Sequence, residues 1–251
     1  MVVLDPKMRN VKTPIRYLKS FFLNPIFYKS YNGVKLYFGE KVVTNWIRDA
    51  IHKGFYEHDE CSLLKKYLGE EDTVVEIGAG IGLTSAIVSK KTKESTHIEA
   101  NGDLVSIIKI NILLNANNNG NHKIIEAAVT AEDMADTVIS LHKSQNFWNA
   151  ALVERDIHGE KVNQKSLYFG NLIEDKKPNF LIMDVEGYEL EIVTKNQIPE
   201  YIAKLMLEIH PKAIGESGVN ACIAILEKQG FSKIDESGNS VMMTRTNKAI
   251  I

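Results

Sequence analysis

The stretch VVEIGAGIGLTSAIV, residues 74–88, decides the fold. Val74 to Ile77 read as a buried strand, Gly78, Gly80 and Gly82 follow, and an apolar helical run comes next. Glycines at such a junction let the backbone turn sharply and approach a ligand, and the helix N-terminus beyond them presents free N–H groups. A nucleotide-like cofactor is implied, with Glu76, Gly78, Ala79, Gly80 and Gly82 as candidate contacts. A dinucleotide turn, GxGxxG, would need its third glycine at position 83. That position is Leu83, which disfavours a nicotinamide dehydrogenase.

Beyond this turn the pattern is strands alternating with amphipathic helices, which gives a parallel sheet with helices on both faces. Strands are expected at 72–77, 95–99, 123–128, 179–184 and 204–210, and helices at 82–91, 103–115, 187–196 and 218–229. Residues 129–178 are too long for one helix and contain the β-rich pieces TVISLH and SLYF, so an insertion or extra strands are expected there. FSKID and VMMTRT flank the short turn Glu236-Ser237-Gly238-Asn239, which makes the last two strands antiparallel neighbours. Before the main domain, Asn32-Gly33 between strand formers suits a type I′ hairpin, followed by helices near 41–53 and 58–68. Two units are expected: an N-terminal extension, 1–66, serving as lid or dimer surface, and a main domain, 67–251.

The whole chain has 251 residues, Lys+Arg 30 against Asp+Glu 32, a net charge of -2 and 44% hydrophobic residues, which describes a folded globular protein and excludes disorder, collagen and disulfide scaffolds. The balance argues against a general polyanion binder. One asymmetry is hidden in it: residues 1–37 carry Lys7, Arg9, Lys12, Arg16, Lys19, Lys29 and Lys35 against Asp5 alone, mixed with aromatics. These residues form either an exposed basic face on a packed extension or a surface for an anionic partner. Cys61 and Cys222 are far apart and no secretory leader or 18-residue apolar stretch is visible, so a cytoplasmic protein without a membrane span is expected.

Three further places carry chemistry. Glu99 ends the second strand, 21 positions after Gly78, where a carboxylate can accept hydrogen bonds from both hydroxyls of a ribose. In NFLIMDVEGYELEIV, residues 179–193, a strand ends at Asp184 and passes through Glu186 to a helix. In LMLEIHP, residues 205–211, Glu208 and His210 point to one side by strand alternation. Ligands sit beyond the carboxyl ends of such strands, so Asp184, Glu186, Glu208 and His210 are expected to converge. Glu186 alone could cap the helix, Glu189 and Glu191 read as helix-surface acids, and Trp148 as packing. His97, His142 and His158 are the weaker histidine candidates. The converging group can take a proton or hold a divalent cation such as Mg²⁺; the metal-free reading is preferred.

GFYE at 54–57, VVEIGAGIG at 74–82, IEAN at 98–101, NILLN at 111–115, MDVEGYE at 183–189 and LMLEIHP at 205–211 together resemble the FkbM-type S-adenosylmethionine-dependent methyltransferases. The DVEGYE segment followed by LEIHP is the specific part. Two departures stand out: Glu76 and Gly80 replace the aspartate and asparagine of the family's D-x-G-A-N-x-G turn, and Ala100-Asn101 replaces a proline. The resemblance implies an α/β class I methyltransferase fold, Rossmann-like, with a seven-stranded mostly parallel sheet. It places S-adenosyl-L-methionine over the glycine turn with its ribose on Glu99 beside Ala100, its methionine end near Tyr56 and Glu57, and its adenine beside Glu126-Ala127-Ala128; Asp184 is a further candidate cofactor contact. It further implies methyl transfer to a hydroxyl of a carbohydrate or other small natural product. The hydroxyl proton must then leave, and His210 or Asp184 are the candidates to receive it, with His210 as base assisted by Asp184 or Glu208. An RNA methyltransferase and a non-catalytic cofactor-binding module are the alternatives; nucleic acid is disfavoured as a partner, and a homodimer is allowed.

Overall fold

The computed structural model describes residues 28–39, 43–117, 119–134, 138–143 and 160–245. The hairpin comes first. Asn32 and Gly33 take φ of 50° and 86°, the positive values a type I′ turn needs, and join β1 (Tyr28–Tyr31) to β2 (Val34–Tyr37). Helix α1 (Asn45–Lys53) starts at Thr44, whose hydroxyl accepts from the Ile47 amide at 3.3 Å, and ends at Gly54 in the left-handed region. Helix α2 (His58–Tyr67) follows directly.

The alternating part runs β3 (Thr73–Ile77), α3 (Leu83–Lys91), β4 (Glu94–Glu99), α4 (Gly102–Asn115) and β5 (Asn121–Glu126). After β6 (Ala128–Thr130), β7 (Val138–Lys143), β8 (Glu160–Tyr168) and α5 (Phe169–Lys176), it resumes with β9 (Phe180–Met183), α6 (Glu189–Lys195), β10 (Lys204–Glu208) and α7 (Pro211–Lys228), and ends in β11 (Phe231–Ser237) and β12 (Ser240–Arg245). Seven strands form the central sheet in the order β11-β12-β10-β9-β3-β4-β5. The pairs among β10, β9, β3, β4 and β5 are parallel, and β12 runs antiparallel to both β10 and β11. The chain winds outward from β3 to β5 and then returns to place β9 on the other side of β3. That reversal opens a crevice at the carboxyl ends of β3 and β9, where open α/β sheets hold ligands.

Each face of the sheet has its own core. On one, Val74, Phe180, Met206 and Met242 meet α3, α4 and the hairpin residues Tyr31, Val34 and Leu36. On the other, Val75, Leu181, Leu205 and Met243 meet Phe169, Ile192, Cys222 and Leu226. Helix α3 is enclosed from Leu83 to Ser89, seven consecutive buried residues, because α4 and the hairpin cover the side that the sheet does not. The hairpin is also tied by hydrogen bonds. Asn111 on α4 accepts from the Tyr37 amide at 2.6 Å and donates to the Tyr37 carbonyl at 3.0 Å, and Asn115 repeats this with Lys35 at 2.8 Å for both bonds. Two asparagine side chains thus pair with the edge of β2 as a further strand would.

Two elements differ from the sequence reading. Among the described residues, β6, β8 and β7 are the extra strands expected there and form a sheet of their own, and the helix α5 is the addition that the β-rich piece SLYF concealed. Helix α7 begins at Pro211 rather than 218, because proline is favoured in a first helical turn; Gly215, with φ 71°, kinks it and masks the helical pattern. Among the described residues no helix is long and apolar enough to cross a membrane.

Candidate active site

The glycine turn is shaped by close approach. The amides of Gly78 and Ala79 both donate to the Ile98 carbonyl at the end of β4, at 2.9 and 3.1 Å, and Asp184 donates to Ile77 at 2.9 Å. A Cβ on Gly78, where φ is 88°, would stand 1.7 Å from the Asp184 carbonyl oxygen, so only glycine lets β3 and β9 end side by side. Gly80 faces the open side instead: a Cβ there would meet only the Glu57 carboxyl and the Tyr56 hydroxyl, at 3.5 and 3.6 Å.

The resulting cleft contains about 840 Å³ of empty space, open solvent at its mouth included. Gly78, Gly80, Glu99, Ala100, Ala127, Glu57, Asp184 and Glu186 all line it, with Ile98, Leu104 and Val129 as an apolar wall. Glu76, Ala79 and Gly82 do not line the cleft, and neither do Glu208 and His210. Gly82 packs against α4, where a Cβ would come within 2.9 Å of the Ile108 backbone. Glu76 is buried beneath the turn. It accepts from Thr84 and Ser85 in the first turn of α3 and from the Nδ1 side of His97. The chain of contacts runs on through His97 Nε2 to the Ser95 hydroxyl and from there to His122 Nδ1, each at 2.7 Å. Burial, and the neighbouring His97, lower His122 to about 4, which keeps it neutral. His97 therefore belongs to the support under the turn; His142, His158 and Trp148 have no described side chain.

Glu99 is held from both oxygens, by the Gly80 amide at 2.9 Å and the Asn101 amide at 2.6 Å. Burial raises its carboxyl to about 7 although those amides pull it down. Asn111 reaches past the hairpin to donate to the Ile81 carbonyl at 2.8 Å, fixing the glycine turn from α4. Nothing in the sequence reading singled out that role, although NILLN was recognised as a motif.

At the other end of the cleft the acids converge as expected, and they bring a companion. His210 Nε2 lies 3.5 Å from Asp184 Oδ1, 3.4 Å from Glu186 Oε2 and 3.8 Å from Glu208 Oε1. Its Nδ1 lies 2.9 Å from Glu189 Oε1. Glu189, read from sequence as a helix-surface acid, is completely buried, and the same oxygen accepts from the Val185 and Gly187 amides at 3.1 Å each. It folds the β9–α6 connection around itself and forces Glu186 into the left-handed region, φ 53°. Glu57 is a second carboxylate with positive φ, 43°, and its position is kept by Tyr31, whose hydroxyl donates to the Tyr56 carbonyl at 2.8 Å. Such backbone costs of order 1–3 kcal/mol per residue and persists where the surroundings impose it. Glu191, by contrast, is the surface acid expected, 46% exposed and paired with Lys195 at 3.1 Å.

Crowding shows in the protonation of the group. Burial drives Asp184 well above the usual carboxylate range, and the charges of Glu208, Glu186, Glu189 and Glu57 drive it further. Burial and Glu60 raise Glu208 to about 7, against the opposing pull of His210 and of a hydrogen bond with Asp184. Burial alone would lower His210, but Glu189, Glu186 and Glu208 together bring it to about 9. At neutral pH its ring therefore already carries the second proton, and the carboxylates are the better proton acceptors.

The Methyltransferase FkbM domain model matches residues 76–233, from the glycine turn to the last hairpin. The chain belongs to this family. Its methyl donor is S-adenosyl-L-methionine. No curated protein matches the sequence. Among solved structures, the magnesium protoporphyrin IX methyltransferase of Synechocystis PCC 6803 is 12% identical, with 81% of this chain and 85% of that one covered at a TM-score of 0.47. The precorrin-6y C5,15-methyltransferase of Geobacter metallireducens GS-15 is 14% identical over 87% of this chain and 96% of that one, at 0.44. Similarity at this level carries no inference about the acceptor of the FkbM methyltransferase.

Proposed function

We propose that the protein transfers a methyl group from S-adenosyl-L-methionine to a hydroxyl oxygen of a carbohydrate or similar hydroxyl-rich small molecule. The residues of the cleft fit the cofactor. Glu99 offers its carboxylate to two ribose hydroxyls, Ala127, Val129, Ile98 and Leu104 make an apolar slot for a base, and Glu57 Oε2 is a buried acceptor without a hydrogen bond, suited to the methionine ammonium. The cofactor supplies an activated methyl on a sulfonium. The chain has to align an acceptor oxygen with it, and orientation of this kind is worth about 7–11 kcal/mol.

The observation that carries the choice of acceptor is the acidic far end of the cleft. Asp184 and Glu186 line it with Glu208 and His210 behind them, a surface that accepts hydrogen bonds from hydroxyls and repels phosphates. This supports a neutral polyol over a nucleic acid. The Asp184–Glu208 pair receives the hydroxyl proton, and His210, held by Glu189, keeps the pair in place. The test is a panel of sugars, glycolipid head groups and RNA incubated with methyl-labelled cofactor. Label in an alkali-stable ether of a sugar is the expected result; label in RNA alone, or in no acceptor while S-adenosylhomocysteine still binds, contradicts the proposal.

A further inference from the structure

We infer that Asp184, Glu208 and His210 form a binding site for one divalent transition-metal ion, with Glu189 as the residue that aims the histidine. It rests on the methyl transfer proposed above, where a cation on these residues would share with the Asp184–Glu208 pair the task of activating the acceptor hydroxyl. One donor atom from each of Asp184, Glu208 and His210 lies within 4.8 Å of the others. The separations from His210 Nε2, 3.5 Å to Asp184 Oδ1 and 3.8 Å to Glu208 Oε1, are too long for hydrogen bonds. Two metal bonds of about 2.1 Å place their donor atoms roughly 3.0–3.4 Å apart, so a cation needs His210 Nε2 to close on each of the two oxygens by less than about 1 Å.

Three observations point to a missing positive partner. Asp184 Oδ1 is buried with no hydrogen bond, and so is Oε2 of the fully buried Glu189, whose other oxygen lies against His210. Among the described residues His210 is the one basic side chain within 4 Å of the Asp184 and Glu208 carboxylates. Finally, Glu189 takes Nδ1 at 2.9 Å and turns Nε2 toward the carboxylates, the arrangement in which a metal-bound histidine gives its other nitrogen to a carboxylate. The pairing alone does not produce this. His97 also sets Nδ1 against a buried glutamate, Glu76, yet its Nε2 is closed by the Ser95 hydroxyl at 2.7 Å. One imidazole and two carboxylates favour Mn²⁺, Fe²⁺, Co²⁺ or Zn²⁺ over Mg²⁺ and Ca²⁺. Glu186, 3.4 Å from Nε2, borders the side facing the cleft, where a bound cation would meet an acceptor hydroxyl and make it more acidic.

The experiment uses the full chain freed of metal by chelation and titrated with Mn²⁺, followed by electron paramagnetic resonance and calorimetry, with S-adenosylhomocysteine binding measured on the same sample. One Mn²⁺ per chain is expected. Asp184→Asn and Glu208→Gln each weaken uptake at least 30-fold, Glu189→Gln weakens it about tenfold, as loss of an aiming partner does, and Glu191→Gln on the same helix leaves it unchanged. Absence of stoichiometric uptake by the wild-type chain overturns the site, whatever the variants do, and so does uptake that Glu208→Gln leaves intact. Failure of S-adenosylhomocysteine to bind while Mn²⁺ does counts against the cofactor cleft and leaves the metal site standing.

Discussion

Two buried glutamate–histidine pairs lie on either side of the crevice, and they have been finished differently. Under the glycine turn, Glu76 is satisfied by Thr84, Ser85 and His97, and His97 passes its remaining nitrogen to Ser95. At the ends of β9 and β10, Glu189 and His210 make the same contact, but the free nitrogen of His210 faces Asp184, Glu186 and Glu208. The first pair is closed and supports a backbone; the second is open toward three carboxylates, two of which, Asp184 and Glu186, line the cleft. The chain beyond the first pair ends at His122 Nε2, which has no hydrogen bond, so it is the pair and not the whole network that is closed.

The sharpest way to break the comparison is to remove the contact that joins the two sides. Gly78→Val must displace the Asp184 carbonyl, so S-adenosylhomocysteine binding is expected to vanish in calorimetry, with a large drop in melting temperature. Next come the two sides separately. Asp184→Asn is expected to lower turnover by about 10²–10⁴-fold, the range of a proton acceptor, with cofactor affinity altered far less. Equal losses in both would place Asp184 in cofactor binding alone. His97→Ala takes from the buried Glu76 one of its three hydrogen-bond partners, which costs about 1–3 kcal/mol of stability in denaturant titration. His210→Ala, at a site partly open to solvent, is expected to cost less stability and more turnover. The reverse ranking of the two histidines would erase the distinction between a closed and an open pair.

The distinction was only half legible in the sequence. The strand–glycine–helix run, Glu99 and the paired segments around Asp184 and His210 carry their meaning in short-range spacing, and the structure brings them to one crevice. Glu189 was missed because burial is not written in local spacing. It follows another acid-rich turn at a helix start, where an exposed glutamate is the common case, and only packing against α7 reveals otherwise. Glu76 was misplaced for the same kind of reason: strand alternation says that it faces away from its neighbours, not which side of the sheet holds the ligand. Asn111 and Asn115 bind a hairpin more than 70 residues away, a contact that no local pattern announces.

Smaller effects sharpen the picture. Glu99 has its carboxyl raised to about 7, and a proton on it must leave before both ribose hydroxyls can donate. Affinity for S-adenosylhomocysteine should therefore strengthen with rising pH, by up to about tenfold per unit below 7, and level off above. Glu99→Gln should bind more weakly and lose this dependence; a wild-type profile flat from acid to alkaline pH would contradict the ribose role. At the small end, Glu191→Ala removes an exposed pair with Lys195 and should leave melting temperature and turnover unchanged, while Glu189→Ala two residues earlier disturbs both.

A crystal structure of the complex with S-adenosylhomocysteine tests the central claim most directly. The account predicts both ribose hydroxyls on Glu99 and the sulfur facing Asp184, on the side of the open histidine pair. A nucleoside seated away from Glu99, or a sulfur turned from Asp184, would contradict it.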